Sequence, residues 1–167
     1  KERFSVLDIG AGLGDFYKHF NKEFNFNYYG VESNVKFVDE MNVRYGKNDN
    51  FEIINKNIQD CINQFADIDL ILCLDILEHI NLEDRFELLR KISKLNFKIL
   101  YINVPNEIGP AIFIKNFGSR IMNYKRDWEY SFLDTIKASF YMIDKIDHHT
   151  TLHKGFDWRH LRYILHY

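Results

Sequence analysis

The sequence predicts an α/β fold, a doubly wound and mostly parallel sheet with helices on both faces. Short apolar runs alternate with helix-patterned segments up to about residue 104, a pattern typical of βαβ units. The run Leu70–Leu77 is almost continuously apolar, as a parallel strand buried on both faces requires. Three alternating glycines, Gly10, Gly12 and Gly14, separate the first apolar run from the first helical one. Such a cluster favours a tight strand-to-helix turn.

Each element follows from a local pattern of apolar residues and breakers. The predicted strands are Val6–Ile9, Tyr28–Glu32, Phe51–Asn55, a fourth beginning at Asp69, and Phe97–Val104. The predicted helices are Phe16–Phe24, Val35–Tyr45, a short one ending at Phe65, Leu82–Leu95 and Asp157–Tyr167. In Leu82–Leu95 the helical period places Phe86, Leu88, Leu89 and Ile92 inward and the charged residues, Arg85 among them, mostly outward.

After Pro105 the alternation stops and the sequence becomes helical and aromatic. We therefore expect one domain over residues 1–167, with a helical insertion or lid over residues 105–154. A helical pair packed as ordinary core is the alternative for this segment. Lys115 and Arg120 beside the apolar run Ile112–Ile114 also leave contact with a membrane surface open.

The glycine turn is the predicted binding site. Glycine permits positive φ and close approach of a ligand to the backbone, and N–H groups at a helix start favour a negatively charged or polar ligand. The G-x-G-x-G spacing differs from the G-x-G-x-x-G of dinucleotide folds. Asp8 stands two residues before Gly10, where a carboxylate can reach a ligand ammonium group. A turn that binds no ligand is the alternative.

The segment Asp8–Gly14 resembles the first motif of class I S-adenosylmethionine-dependent methyltransferases. The resemblance implies a Rossmann-like sheet of strand order 3-2-1-4-5 and S-adenosyl-L-methionine as cofactor. It assigns cofactor contacts to Asp8, Gly10, Ala11, Gly12 and Gly14. The family sheet ordinarily continues into a further strand pair, which is not recognisable before Tyr167. We therefore expect either that this pair has been removed from the sequence, or that the insertion or a partner such as a second copy covers the open edge of the sheet.

Glu32 ends the second predicted strand, 22 positions after Gly10. In α/β nucleotide folds a carboxylate at this place accepts hydrogen bonds from ribose hydroxyls. Glu32 and the following Ser33 are therefore assigned to the cofactor site. The alternative is an exposed Glu that caps the helix beginning near Ser33.

Asn57 stands where the family has an Asp that meets the adenine 6-amino group, and Ile58 stands where the next residue packs on the ring. The amide oxygen of Asn57 can accept the same hydrogen bond. Asp60 is the alternative acceptor, or else the N-cap of the short helix that follows.

The stretch Asp75–Ile80 resembles the fourth motif of small-molecule methyltransferases of the type that acts on quinone precursors. The resemblance implies a cofactor contact at Asp75 and makes His79 a candidate general base. The alternative is that Glu78 and His79 begin a helix and have no role in chemistry. The segment Val104–Pro110 and the later His153–Arg159 are similar to methyltransferases of cell-envelope glycan loci.

Three late histidines, His148, His149 and His153, are further candidate bases, because imidazole titrates near neutrality. No Cys or carboxylate completes a metal site with them, so no metal is predicted.

Composition excludes several classes of protein. The net charge of −2 gives no electrostatic basis for general nucleic-acid binding. No apolar run is long enough to span a membrane and no secretory leader is recognisable. Cys61 and Cys73 alone fit a reducing, cytoplasmic location.

The resemblances together imply methyl transfer to a small-molecule or glycan acceptor, with oxygen as the leading acceptor atom and nitrogen or carbon left open. The rival enzyme is an NAD(P)-dependent oxidoreductase, which predicts a G-x-G-x-x-G turn. A cofactor-binding module without catalysis is the third hypothesis.

Overall fold

The computed structural model describes residues 3–122, 130–142, 145–146 and 156–165. The chain divides into two compact units. The sheet unit comprises Lys1–Leu77 and Leu82–Asn103, and the helical unit comprises Glu78–Asn81 and Val104–Tyr167.

The sheet unit contains five strands and four α-helices among its described residues. The strands are β1 Phe4–Ile9, β2 Phe26–Glu32, β3 Phe51–Asn55, β4 Asp67–Leu74 and β5 Asn96–Asn103. The helices are α1 Asp15–Phe20, α2 Val35–Tyr45, α3 Ile58–Cys61, which a 3₁₀ turn Ile62–Gln64 extends, and α4 Leu82–Ile92. A second 3₁₀ turn spans Leu77–His79.

The sheet has the predicted topology. Its strand order is β3-β2-β1-β4-β5, and every pair is parallel. The register places Asp8 opposite Gly30 on β2 and opposite Leu72 on β4. Because all strands run the same way, their carboxyl ends meet at one edge, which is where open α/β sheets bind ligands.

An aromatic core, which we define as Tyr17, Phe26, Tyr28, Tyr45 and Phe51, packs between the sheet and α1 and α2. The hydroxyl group of Tyr17 is satisfied there, because it donates to Asn50 Oδ1 at 2.8 Å and accepts from Asn48 Nδ2 at 2.9 Å. Burial of large rings with satisfied hydroxyl groups stabilises this side of the sheet.

Helix α4 corrects one prediction. Arg85 is only 8% exposed, and its Nε donates to the carbonyl oxygen of Leu77 at 2.8 Å, whereas Phe86 is 48% exposed. Leu88, Leu89 and Ile92 are buried as predicted. A guanidinium group can be buried when its N–H groups find acceptors and its stem packs on apolar surface, and hydrophobic period alone does not foresee this.

Two helix lengths also differ from the prediction. Helix α1 ends at Phe20, and Phe24 is exposed, so the stripe of phenylalanines does not define one continuous helix. Helix α4 ends at Ile92 and passes into a turn before β5.

In the helical unit, α5 spans Pro110–Ile121, α6 spans Phe132–Ser139 and α7 spans Arg159–Leu165. Ile112, Tyr130, Ala138 and Ile146 form its buried cluster. Helices therefore follow β5, as predicted. None of the helices in the described part of the chain is long and apolar enough to cross a membrane.

Candidate functional site

The glycine turn joins β1 to α1 at the carboxyl edge of the sheet. Gly10, Gly12 and Gly14 have φ values of 73°, 55° and 73°, a left-handed conformation that side chains rarely adopt. The N–H groups of Gly10 and Ala11 both donate to the carbonyl oxygen of Val31, at 2.9 and 3.1 Å. These bonds fix the turn against the end of β2.

The three glycines differ in the space around them. A Cβ on Gly10 would lie 2.4 Å from Ile76 Cδ1, and one on Gly14 would lie 3.0 Å from Met41 Sδ. A Cβ on Gly12 would meet no atom of the described residues within 4 Å. Gly10 and Gly14 thus permit close internal packing, whereas Gly12 leaves its backbone open to approach from outside.

Glu32 lies against this open glycine. Its carboxylate is buried, with the residue 9% exposed. Oε2 accepts from the Gly12 N–H at 2.9 Å and Oε1 accepts from the Asn34 N–H at 2.8 Å. Each oxygen retains a further lone pair for a hydroxyl group of a ligand. The cap of α2 is Asn34, whose side chain accepts from the Lys36 N–H.

Asp8 is the second buried carboxyl group at this edge, with 3% exposure. The hydroxyl group of Tyr28 donates to its Oδ2 at 2.7 Å. Burial raises the pKa of Asp8 to about 6; the hydrogen bond from Tyr28 opposes the increase and the charge of Glu32 adds to it. Burial, and then the charge of Asp8, raise the pKa of the Cys73 thiol to about 12.

The predicted adenine contacts lie at the start of α3. Asn57 is exposed and is the N-cap of the helix, since its Oδ1 accepts from the Gln59 N–H at 3.1 Å. The alternative in which Asp60 is the N-cap is wrong, because Asp60 lies inside the first turn. Asn57 retains a lone pair and two N–H donors. Ile58 is 5% exposed, so its side chain presents little surface to a ring.

Two asparagines that the sequence reasoning missed fix the strand ends. Asn55 Nδ2 donates to the carbonyl oxygens of Glu32 and Ser33, at 2.9 and 3.1 Å. Asn103 Nδ2 donates to Asp75 Oδ1 at 2.9 Å. Asp75 has a φ of 49°, a conformation that Asp tolerates better than most residues. One sequence feature could have identified both asparagines: each is the last residue of a strand that ends at the predicted binding edge.

None of the candidate bases belongs to the described part of the sheet unit. His79 belongs to the helical unit, where it is exposed and its Nε2 lies 4.0 Å from Oε1 of the buried Glu78. His148, His149 and His153 lie outside the described residues. Within the described ranges, no group of three or more His, Cys, Asp or Glu side chains could hold a metal ion.

Comparison with known proteins identifies the family. The family model of the methyltransferase domain matches residues 6–96, which is more than half of the chain and includes the glycine turn, Glu32 and Asn57. This chain belongs to the class I S-adenosylmethionine-dependent methyltransferase family. The G-x-G-x-G turn and the strand order agree with that membership.

Alignments with two individual relatives cover only part of this methyltransferase domain and only part of each relative. An uncharacterised protein of Methanocaldococcus jannaschii is 31% identical over 104 residues, which are 62% of this chain and 42% of that protein. A SAM-dependent methyltransferase from Archaeoglobus fulgidus is 26% identical, with a TM-score of 0.56 over 70% of this chain and 52% of that one. The chain thus spans about half the length of these relatives.

The fold extends to a more distant protein. The plantazolicin methyltransferase BpumL, whose crystal structure is a complex with SAH and a pentazolic desmethylPZN analog, has a TM-score of 0.64 and 17% identity. The alignment covers 99% of this chain and 55% of BpumL. At this identity the likeness shows a shared fold.

Proposed function

We propose that this chain binds S-adenosylmethionine over Gly12 and that the protein transfers the methyl group to a small-molecule or glycan acceptor. One observation carries the proposal: the buried Glu32 carboxylate lies on the N–H of a glycine that has open space on its Cβ side. Membership of the methyltransferase family supports the choice of ligand.

The residues at the edge fit the polar parts of this cofactor. The Asp8 carboxylate suits the ammonium group of the amino-acid moiety, and Glu32 suits the ribose hydroxyls. The exposed amide of Asn57 suits the edge of the adenine. Two further residues complete the proposed contacts. Asn55 holds the backbone carbonyl of Ser33, and Asn103 holds the side chain of Asp75.

S-Adenosylmethionine supplies an activated methyl group, whose carbon bonds to the acceptor while sulfur keeps the electron pair of the broken bond. The residues of this chain therefore have to hold the donor, and positioning of this kind contributes up to roughly 7–11 kcal/mol in favourable cases. Buried, hydrogen-bonded carboxylates such as Asp8 and Glu32 meet that requirement, because their rotamers are fixed before a ligand arrives.

We propose oxygen as the acceptor atom, on the basis of the sequence resemblances of Asp75–Ile80 and Val104–Pro110. A hydroxyl acceptor has to lose a proton, and a general base contributes about 10²- to 10⁴-fold. The proposed base is one of the four histidines His79, His148, His149 and His153.

Isothermal titration with S-adenosylhomocysteine (SAH) and with NAD tests the binding proposal. We expect saturable binding of SAH. Gly12→Ala should weaken it by at least about tenfold, since the added methyl group fills the open space, and Glu32→Gln by about tenfold through loss of a charged acceptor. Gly118→Ala is the control, because the added Cβ also meets no atom within 4 Å in the part of the chain that the structure describes, but Gly118 lies in α5.

Binding of NAD without binding of SAH would overturn the proposal. Equal affinity for SAH in wild type and Gly12→Ala would place the ligand elsewhere. Thermal denaturation of each variant separates loss of binding from loss of folding.

A further inference from the structure

Tyr28 and Asp8 form a buried pair on neighbouring strands. Their oxygens lie 2.7 Å apart, and both residues are almost completely buried. We propose that Tyr28 is a positioning residue for the ammonium group of the cofactor, because its hydroxyl group holds the Asp8 carboxylate in place and in its ionised form. The inference rests on the proposed function.

The position of the Tyr28 ring depends on the absence of a side chain at Gly30. Gly30 lies opposite Asp8 in the β1–β2 register and shares a sheet face with Tyr28, two residues earlier. A Cβ on Gly30 would lie 2.9 Å from Tyr28 Cε1 and 2.7 Å from Ile53 Cδ1. The ring therefore reaches Asp8 across a position where only glycine leaves room.

The aromatic core fixes the ring in that place. Tyr28 stacks on Phe51, with centroids 5.4 Å apart and an interplanar angle of 9°. Tyr17 packs against it with a centroid distance of 5.2 Å. Because the ring is enclosed, its hydroxyl group cannot move far from Oδ2, and the second oxygen of Asp8 can serve a cation.

The hydrogen bond from Tyr28 affects the protonation of Asp8. The titratable groups that face the carboxyl group are Tyr28 and Glu32 from β2 and Cys73 from β4. Burial, followed by the charge of Asp8, strongly raises the pKa of Tyr28, so its hydroxyl group remains a donor at neutral pH. Burial raises the pKa of Asp8 to about 6 and the bond from Tyr28 opposes this. A cation should therefore bind more tightly as the pH rises through about 6.

The test measures SAH affinity by isothermal titration from pH 5 to 7.5, where the ligand amino group stays mostly protonated. Wild type should show a midpoint near pH 6. In Tyr28→Phe the midpoint should move up by about one pH unit, since the carboxylate loses a donor. The affinity should then be about fivefold lower than wild type at pH 6, with most of the loss recovered by pH 7.5.

Tyr17→Phe is the matched control. It removes another buried hydroxyl group of the same aromatic core, one that bonds to Asn48 and Asn50. Its midpoint should equal that of wild type. Asp8→Asn should abolish the dependence on pH between 5 and 7.5, which assigns the titration to Asp8 rather than to Glu32 or Cys73.

A direct titration needs no ligand. The ¹³C-carboxyl resonance of Asp8, assigned with Asp8→Asn, should titrate near pH 6 in wild type and about one pH unit higher in Tyr28→Phe. An unchanged midpoint in Tyr28→Phe, or equal shifts in both tyrosine variants, would overturn the inference. If wild type binds no SAH at any pH, the proposed function fails, whereas the resonance still shows whether Tyr28 controls Asp8.

Discussion

Replacement of Asp8 by Asn should stabilise the ligand-free protein at neutral pH. Burial raises the pKa of Asp8 to about 6 from the ordinary 3.8, so the folded state holds its proton more tightly than the unfolded state does. The free energy of unfolding therefore falls as the pH rises from about 4 to about 6. The difference of about two pH units corresponds to roughly 3 kcal/mol at about 1.4 kcal/mol each.

Asn keeps the shape of Asp and can accept the hydrogen bond from Tyr28, but it carries no charge. Burial of the additional N–H₂ group costs about 1–3 kcal/mol where it finds no acceptor. We therefore expect Asp8→Asn to be more stable than wild type by up to about 2 kcal/mol at pH 7, and this advantage should fall by roughly 3 kcal/mol and turn into a loss towards pH 4.

Urea denaturation of both proteins between pH 4 and 7.5, followed by circular dichroism, measures this difference. The slope against urea concentration should be the same for both proteins, so that the change in midpoint reports stability. A difference in stability between the variant and wild type that stays constant between pH 4 and 7 would refute the account of Asp8 as a buried carboxylate kept at a cost in stability.

Three further substitutions test the fold. Asp69→Asn should act in the opposite direction to Asp8→Asn, because hydrogen bonds from Lys98 and Ser5 lower the pKa of Asp69 to about 2. Thermal denaturation should show a loss of stability at pH 7 that fades as the pH falls from about 4 to 2; a gain would contradict this. Gly10→Ala should cost several kcal/mol through its positive φ and its clash with a neighbouring side chain, whereas urea denaturation that matches wild type would exclude the described packing. Arg85→Met should lower the free energy of unfolding by about 1–3 kcal/mol, since the carbonyl oxygen of Leu77 loses its donor; an unchanged midpoint would show that this bond contributes nothing.

Local patterns in the sequence predicted much of the sheet. Helix Val35–Tyr45 and strand Phe51–Asn55 have the predicted bounds, and the strand order and the family are confirmed. Helix α4 illustrates the limit. Its period located the buried leucines, but Arg85 is buried and Phe86 exposed, because the acceptor that satisfies Arg85 lies in another segment.

The candidate site divides in the same way. The sequence predicted Asp8 and Glu32 as site residues, from their places before and after the glycine turn, and the structure brings Glu32 onto Gly12. It did not predict Tyr28, Asn55 or Asn103, because an apolar or short polar residue in a strand has no distinctive local pattern. The roles of all predicted site residues remain predictions.

The sequence by itself determined the parallel sheet, the glycine turn and the presence of an acid at the end of β2, because each depends on neighbours within a few positions along the chain. Only the tertiary structure decided that the Tyr28 hydroxyl group lies on Asp8 and that, of the three glycines, Gly12 leaves open space. Both facts depend on the register between strands and on side chains that pack from distant segments. Hydrophobic period and residue spacing carry no information about such contacts.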